Sequence, residues 1–285
     1  MREKILELLG ESGDLPPLPD VVFKLQKMIR DPRANARSIA GIIEMDPVLA
    51  GRIIKLSNSV FYSRSTTPIK TLPVAITKIG FNMLIKLVYS LKITKLFAKG
   101  SLLDNEAFWR HSLAVAVFTQ SLSRRVKTSR EEQDMAYLAG LMHDIGIIVF
   151  GHIIPGEYGE FLSKIYEEEK PLEVSEKEKF GIDHAVLGGK FIDKWWEVDP
   201  HISIAVRQHH FPFLGVAADR RCEQMVNVAN GVCNNVGITN GIQCYHDVFM
   251  EGAWEELGLS LADVEGILSD VNTALDQARE LMAVV

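Results

Sequence analysis

The stretch "LAGLMHDIGIIVFG", from Leu138 to Gly151, decides the fold of this chain. Thirteen of its fourteen residues are apolar, glycine or histidine, and the exception is Asp144. A run this apolar predicts a helix that is buried on most of its faces, with His143 and Asp144 side by side in its middle. Burying an ionised carboxylate is costly unless it is paired or binds a metal, so Asp144 requires partners elsewhere in the chain.

Helical periodicity extends outward from this stretch over most of the chain. The segment "VVFKLQKMI" (Val21–Ile29) places its apolar residues on one stripe. Asp46 and Pro47 supply an N-cap carboxylate and a proline for the first position of a later helix. No segment shows the alternation of a strand bounded by hairpin turns. We therefore predict an all-α fold, arranged as a two-part helical bundle.

An interruption of the helical pattern at "AKGSLLDNE" (Ala98–Glu106) is the best candidate for a boundary. It divides residues 1–100, predicted to form an N-terminal helical subdomain, from residues 101–285, predicted to form a helical bundle with a C-terminal helical extension. All eight histidines follow residue 100. Any imidazole chemistry therefore belongs to the second part.

The composition limits the class of protein. The chain has 285 residues, of which 47% are hydrophobic, and this is enough for a large core. A net charge of −6 argues against a general nucleic-acid binder, so DNA is not an expected partner. Three cysteines without a C-x-x-C pair argue against a thiolate zinc site and fit a reducing cytosol. With no signal peptide and no sufficiently long uncharged apolar run, we predict a soluble cytoplasmic protein without membrane contact.

Five histidines lie in or beside apolar helical patterns. They are His111 in "FWRHS", His143, His184 in "FGIDHAVLGG", and His209 and His210 in "AVRQHH". The neutral imidazole is the commonest protein metal ligand, and the carboxylate of Asp144 adds oxygen to the set. The alternative is a group of hydrogen-bonded core histidines without a metal. We assign the other three histidines to the surface or to loops: His152, His201 and His246.

These residues resemble a known family. "HDIG" at His143–Gly146 is similar to the motif of metal-dependent HD-domain phosphohydrolases. The segments "LPPLPDVVFKL", "IIEMDPVLAGRIIKLSNSVFY" and "TPIKTLPVAITKIG" resemble the HDOD domain, the HD-related output domain of bacterial signalling proteins. So do "EKFGIDHAVLGG" and "AVRQHHFP". The resemblance covers roughly Leu15 to Gly231 and implies an HD-like helical bundle in the second part.

The resemblance implies a first metal position. His111, His143 and Asp144 match the first three ligands of the HD pattern. The fourth ligand in that pattern is an aspartate, and this chain has Asn230 at the matching position in "MVNVAN". Asparagine offers a carbonyl oxygen but no negative charge, so the resemblance implies weaker metal binding here.

The resemblance also implies a second metal position. His184, His209 and His210 are similar to the histidines that hold a second ion in two-metal members of the superfamily. Nitrogen and oxygen ligands without thiolate favour iron, manganese, zinc, nickel or magnesium. We therefore expect one or two such ions as cofactors.

Two functions follow from the resemblance and stay open at this point. HDOD domains are generally regulatory, which implies a signal-transduction output module with weak catalysis or none. The alternative is a metal-dependent phosphohydrolase or phosphodiesterase that acts on a nucleotide or another phosphoester. Activity on cyclic-di-GMP is not expected, because Ile147 stands where such enzymes have lysine and no Gly-Tyr-Pro follows His210.

The expected partners are signalling proteins or a small phosphorylated ligand. The C-terminal stretch "LSLADVEGILSDVNTALDQARELMAVV" is amphipathic, with a capped start and an apolar stripe. It either completes the core or forms contacts between two copies in a homodimer.

Overall fold

The computed structural model describes residues 1–11, 20–29, 31–58, 68–81, 84, 88, 103–167, 169–196, 198–213, 221–244 and 251–282. Within these ranges every regular element is a helix and no β-strand occurs, which confirms the all-α prediction. The chain forms two compact units. One comprises residues 16–96 and 275–285, and the other comprises residues 1–15 and 97–274.

The smaller unit contains four described helices before residue 81. They are α2 (Asp20–Ile29), α3 (Ala36–Ile43), α4 (Pro47–Ser57) and α5 (Leu72–Ile79), and α3 packs against α2 and α5 while α4 packs against α5. Asp46 Oδ1 accepts a hydrogen bond from the Leu49 backbone N–H at 3.0 Å, so Asp46 begins α4 as predicted. Asn35 and Ser38 form a reciprocal capping box at the start of α3.

The larger unit contains the first helix and the helices that follow residue 103. They are α1 (Arg2–Glu11), α6 (Asn105–Arg125), α7 (Arg130–Met142), α8 (Ile145–Ile153), α9 (Pro155–Leu162), α10 (Leu172–Phe180), α11 (His184–Trp195), α12 (Pro200–Gln208), α13 (Arg221–Asn235), α14 (Glu251–Glu256) and α15 (Leu261–Met282), the last of which continues beyond residue 274. Helix α6 packs against α7 and α13, and α11 packs against α8 and α12. The predicted division at residue 100 stays a prediction about domains. The two divisions group α1 and the end of α15 differently.

The stretch Leu138–Gly151 forms the end of one helix and the start of another, so the prediction of a continuous helix is wrong. Helix α7 ends at Met142 and α8 begins at Ile145. Asp144 has φ −93° and ψ 8°, which is outside the helical region. Neighbouring residues on one helix point about 100° apart. The break between α7 and α8 instead allows His143 and Asp144 to face the same point.

Helices α7 and α8 together contain a long apolar stretch. Within the described residues, Arg130–Ile153 is the one stretch that is long and apolar enough to cross a membrane, and its most apolar 18-residue window has a mean hydropathy of 1.4. Of its most apolar window, 72% is buried inside the protein. This stretch is therefore mostly part of the core of the larger unit.

Two glycines bring α8 and α11 into backbone contact. A Cβ atom at Gly146 would lie 1.9 Å from the His184 carbonyl oxygen and 2.8 Å from the Gly188 backbone nitrogen. A Cβ atom at Gly188 would lie 2.9 Å from the Gly146 backbone nitrogen. The glycine of "HDIG" therefore permits the approach that places His184 beside His143 and Asp144.

We expect Gly146→Ala to lower the free energy of unfolding by about 1–3 kcal/mol, because one of the two helices must move to admit the methyl group. Urea denaturation followed by circular dichroism measures this change. Gly156→Ala on α9 is the matched control, since a Cβ at Gly156 meets nothing within 4 Å. The control should change stability by less than about 1 kcal/mol. Equal stability of the two variants would contradict the packing described above.

Candidate metal centre

The carboxylate of Asp144 lies at the centre of a cluster of imidazoles in the larger unit. Its Oδ1 atom lies 3.2 Å from His143 Nε2, 3.4 Å from His184 Nε2 and 3.9 Å from His209 Nε2. Asp144 is 2% exposed, and the three histidines are also buried. One carboxylate oxygen therefore faces histidines from the α7–α8 junction, the start of α11 and the end of α12.

The other oxygen of Asp144 faces α6 and the segment after α13. Asp144 Oδ2 lies 3.6 Å from Nε2 of the buried His111, and it accepts a hydrogen bond from Asn240 Nδ2 at 2.9 Å. The Asn240 Oδ1 atom accepts from the Ile242 backbone N–H at 3.2 Å. That bond orients the amide so that its NH₂ group points at Asp144. The carboxylate is thus compensated from both sides.

Four of the imidazoles are held through Nδ1 by an acceptor outside the cluster. The acceptors are the carbonyl oxygens of Ile238, Gly140 and Val206 for His111, His143 and His209, at 2.7, 2.8 and 2.7 Å, and the Glu176 carboxylate for His184, at 2.7 Å. A carbonyl oxygen only accepts hydrogen bonds, so each ring that faces one carries its proton on Nδ1. In a neutral ring of this tautomer, Nε2 presents a lone pair to the cluster. Fixing the tautomer in this way is how proteins prepare histidine for a metal.

The Nε2 lone pairs of neighbouring imidazoles lie so close together that a cation is needed between them. His111 Nε2 and His143 Nε2 lie 3.2 Å apart, although both rings donate through Nδ1 to a carbonyl. Two facing lone pairs repel each other unless a proton or a metal ion lies between them. His209 Nε2 is buried and has no hydrogen-bond partner among the described residues. Buried polar atoms without a partner are rare in folded proteins, and a bound metal ion would give this nitrogen one.

The ligand atoms fall into two groups that fit metal coordination. The first ligand group is His111, His143 and Asp144, and the second ligand group is His184, His209 and His210; within each group the ligand atoms lie within 4.8 Å of one another. Ligands about 2.1 Å from one ion, at angles of roughly 90–110°, stand roughly 3.0–3.4 Å apart. The distances of 3.2 Å in the first group and 2.9 Å between His184 Nε2 and His210 Nε2 in the second are close to this range.

The pKa values describe a cluster of opposite charges. Burial alone raises the pKa of Asp144, but the charges and hydrogen bonds of His143 and His184 outweigh it and hold that pKa well below its ordinary value. Burial lowers the pKa of His184, but Glu176 and Asp144 outweigh burial and raise it well above its ordinary value.

The adjacent histidines after α12 behave differently from His184. Burial, and then the neighbouring imidazoles, hold the pKa values of His209 and His210 well below the ordinary value. Both rings are therefore neutral at pH 7, which is the form of histidine that binds metals. The side chain of His210 is 15% exposed, so it marks the more open side of the cluster.

The structure brings together six of the seven residues that the sequence identified. His111, His143 and Asp144 form the first group. His184 and His209 face Asp144 Oδ1, and His210 joins the cluster through His184 Nε2, 2.9 Å from its own Nε2. The seventh residue is Asn230 on α13, and its Oδ1 atom accepts a hydrogen bond from Asn234 Nδ2 at 3.0 Å. Its role as a ligand stays a prediction. His152 and His201 are exposed, as predicted, and His246 lies outside the described residues.

Residues that sequence reasoning missed support the cluster. Asn240 lies in a region without family resemblance, and its Asn-Gly pair indicates only a turn, which Gly241 makes with φ +85°. Asn227 donates from Nδ2 to the His209 carbonyl oxygen at 2.8 Å. Glu176 looks like one of several charges on a polar helix, yet it is fully buried. No sequence pattern distinguishes it from the exposed Glu178 nearby.

Comparison with known proteins identifies the type of fold. The HDOD domain profile matches residues 15–212. An HDOD domain protein from Geobacter sulfurreducens is 23% identical with a TM-score of 0.81, and the match covers 98% of this chain and 97% of that one. A candidate signal transduction protein from Marinobacter aquaeolei VT8 is 18% identical with a TM-score of 0.73, over 99% of this chain and 64% of that one.

A relative from Treponema pallidum (strain Nichols) matches by sequence. It is 24% identical over 201 residues, which are 69% of this chain. This chain spans 38% of the length of that relative. The Treponema relative and the Marinobacter protein are therefore both considerably longer than the part that resembles this chain.

We expect Asp144→Ala to lower the free energy of unfolding by roughly 3–5 kcal/mol in chelator-treated protein, because it leaves buried donors without their acceptor. Asn240→Ala removes one of those donors and should cost about 1–3 kcal/mol. Urea denaturation at pH 7 measures both values.

The surface pair of Asp199 and His201 provides the control for Asp144→Ala. Asp199 Oδ1 lies 2.7 Å from His201 Nδ1 and accepts from the His201 backbone N–H at the start of α12. Asp199→Ala should therefore cost only about 1 kcal/mol, the usual value of an N-cap. If Asp144→Ala costs no more than this control, Asp144 does not hold the cluster together.

Proposed function

This chain belongs to the HDOD domain family, and from that premise we propose that it is a signal-transduction module built around a metal centre in its buried histidine cluster. The observation that carries the proposal is the convergence of four Nε2 atoms on the carboxylate of Asp144. Each of these rings is held through Nδ1 by an acceptor outside the cluster. Such preorganisation is typical of metal ligands and is not needed for packing alone.

We propose that each of the two ligand groups holds one metal ion. His111 and His143 would bind a first ion, with Asn230 or water completing its ligands. His184, His209 and His210 would bind a second ion, and the carboxylate of Asp144 lies between the two groups. The nitrogen and oxygen donors favour iron, manganese, zinc, nickel or magnesium. A bound ion supplies positive charge that activates water and neutralises phosphate oxygens.

Two observations favour a regulatory role over rapid turnover. Among the described residues, His111, His143, Asp144, His184 and His209 are at most 2% exposed. A bulky phosphoester needs direct access to the ligands that would activate it. Asn230 also carries no charge where the HD pattern has a carboxylate, so it offers no general base. We propose that occupancy of the cluster controls how the module meets its partners.

A second candidate function is hydrolysis of a small phosphoester such as a nucleotide. The side chain of His210 favours it, because it is partly exposed while its Nε2 lies 2.9 Å from His184 Nε2. A small phosphorylated ligand reaches the second group from that side. Cyclic-di-GMP is not the substrate we propose, because the chain lacks the lysine and the Gly-Tyr-Pro segment of those enzymes.

The partners and the cellular location that we propose rest on the family and the composition of the chain. We propose signalling proteins as its partners in a bacterial cytoplasm, and we propose the last helix, α15, as a contact between two copies. The net charge of −6 makes DNA a poor partner.

We expect protein purified without chelators to contain two metal ions per chain, measured by inductively coupled plasma mass spectrometry. His209→Ala should lower the content to one ion, because it removes a ligand of the second group. His201→Ala is the matched control and should keep both ions, since His201 is exposed on α12, the helix that His209 follows. Protein that binds no iron, manganese, zinc, nickel or magnesium after reconstitution would contradict the proposal.

Turnover separates the two candidate functions. A regulatory module should hydrolyse bis-p-nitrophenyl phosphate and nucleotide substrates no faster than its Asp144→Asn variant. Hydrolysis that depends on metal and is lost in Asp144→Asn would favour the phosphohydrolase.

A further inference from the structure

Helix α10 places two buried carboxylates behind the second ligand group. Glu173 and Glu176 are three residues apart, so they share one face of the helix. They are 5% and 0% exposed. Glu173 Oε1 lies 3.7 Å from His210 Nδ1, and Glu176 Oε2 lies 2.7 Å from His184 Nδ1. Glu176 thus faces His184 on the side of the ring away from Asp144, and Glu173 faces His210 on the side of the ring away from His184.

Glu176 holds His184 by two bonds at once. Its Oε2 atom accepts from the His184 backbone N–H and from the ring Nδ1–H, both at 2.7 Å. The chain between the two residues turns at Gly181, which ends α10 in a left-handed conformation with φ +76°. The turn returns the start of α11 to the middle of α10. Both the position of the His184 backbone and the orientation of its ring therefore depend on Glu176.

Tyr158 holds Glu176 from the opposite side. The Tyr158 hydroxyl donates to Glu176 Oε1 at 2.6 Å. The ring of Tyr158 is fully buried and stacks on Phe150, with centroids 4.8 Å apart and an angle of 14° between the planes. The ring of Phe180 also packs there, with its centroid 5.9 Å from that of the tyrosine ring. An aromatic cluster thus fixes the hydroxyl that orients the carboxylate.

The Nδ1 acceptors described for the first ligand group are different in charge. His111 and His143 donate to the carbonyl oxygens of Ile238 and Gly140, which are neutral. A carboxylate acceptor makes an imidazole more basic than a carbonyl acceptor does, and so makes it a stronger metal ligand. The two groups therefore differ in the charge that stands behind their imidazoles.

We propose that Glu176, held by Tyr158, is a positioning residue that sets the metal affinity of the second ligand group while leaving the first group unaffected. This inference rests on the proposed metal centre. Neither residue touches the metal position in this arrangement, because His184 stands between them and the cluster. Helix α10 is then part of the centre, although its sequence resembles an ordinary polar helix.

The test uses the full chain, stripped with chelator and titrated with Zn²⁺ against a competing chelator dye. Wild-type protein should bind two ions. Glu176→Gln keeps the shape of the side chain but removes its charge. It should lower the affinity for one of the two Zn²⁺ ions by about 10–100-fold. Tyr158→Phe keeps the stacked ring and should lower the affinity for the same ion by a smaller factor. Unchanged binding in both variants, or equal weakening of both ions, would overturn the proposal.

Glu178→Gln is the matched control for charge. Glu178 lies on the same helix, two residues from Glu176, but it is exposed and pairs with Lys170 at 2.7 Å. Its substitution removes the same charge and should leave both Zn²⁺ affinities unchanged. If Glu178→Gln weakens binding as much as Glu176→Gln does, the effect is general electrostatics, and the positioning role is wrong.

Nuclear magnetic resonance of the metal-free protein keeps the two proposals separate. Long-range ¹H–¹⁵N spectra should show a protonated, hydrogen-bonded Nδ1 for His184 in wild type and a weakened bond in Glu176→Gln. An unchanged His184 signal would overturn the role of Glu176, whatever the protein binds. A wild-type protein that binds no Zn²⁺ but shows the expected His184 signals would overturn the metal centre alone.

Discussion

The compensation of one buried carboxylate is the constraint on which the larger unit depends. Asp144 is 2% exposed, and a charge in that position is strongly destabilising without partners. Its partners come from α6, from the start of α11, from the end of α12 and from the segment after α13. No two of these four lie close together in the chain. The carboxylate is therefore satisfied only when the whole helical arrangement has formed.

Helix ends supply most of the cluster, and there is a physical reason for this. The last carbonyl groups of a helix lack partners within the helix. His143 follows α7 and His209 follows α12, and each donates from Nδ1 to the carbonyl three residues earlier, Gly140 or Val206. The same local bond thus completes two helix ends and turns two Nε2 atoms inward. His111 lies within α6, and its Nδ1 donates the equivalent bond to the carbonyl oxygen of Ile238, beyond the end of α13.

The cluster has the same electrostatic requirement with or without a metal. Facing imidazole nitrogens and a buried carboxylate require positive charge among them, and either a proton or a metal ion provides it. Glu176 and Asp144 raise the pKa of His184 well above its ordinary value, so the two carboxylates favour a proton on that ring when no metal is bound. A bound metal ion would supply that positive charge in place of a proton. In the signalling role proposed above, such an exchange would change the charge at the point where these helices meet.

Some of this organisation was determined by the sequence alone. Helical periodicity predicted the all-α fold, and the motifs around His111, His143, His184 and His209 predicted the histidines that meet. The tertiary structure decided the rest, because it depends on contacts between residues far apart in the chain. Asn240 reaches Asp144 across 96 positions, and nothing local to either residue indicates it. Glu176 and Glu178 share one polar helix, and only the packing of Tyr158 and α11 around that helix buries one and leaves the other in water. Periodicity is a local property that a sequence displays directly, whereas the partner of a buried charge is fixed only when the helices pack.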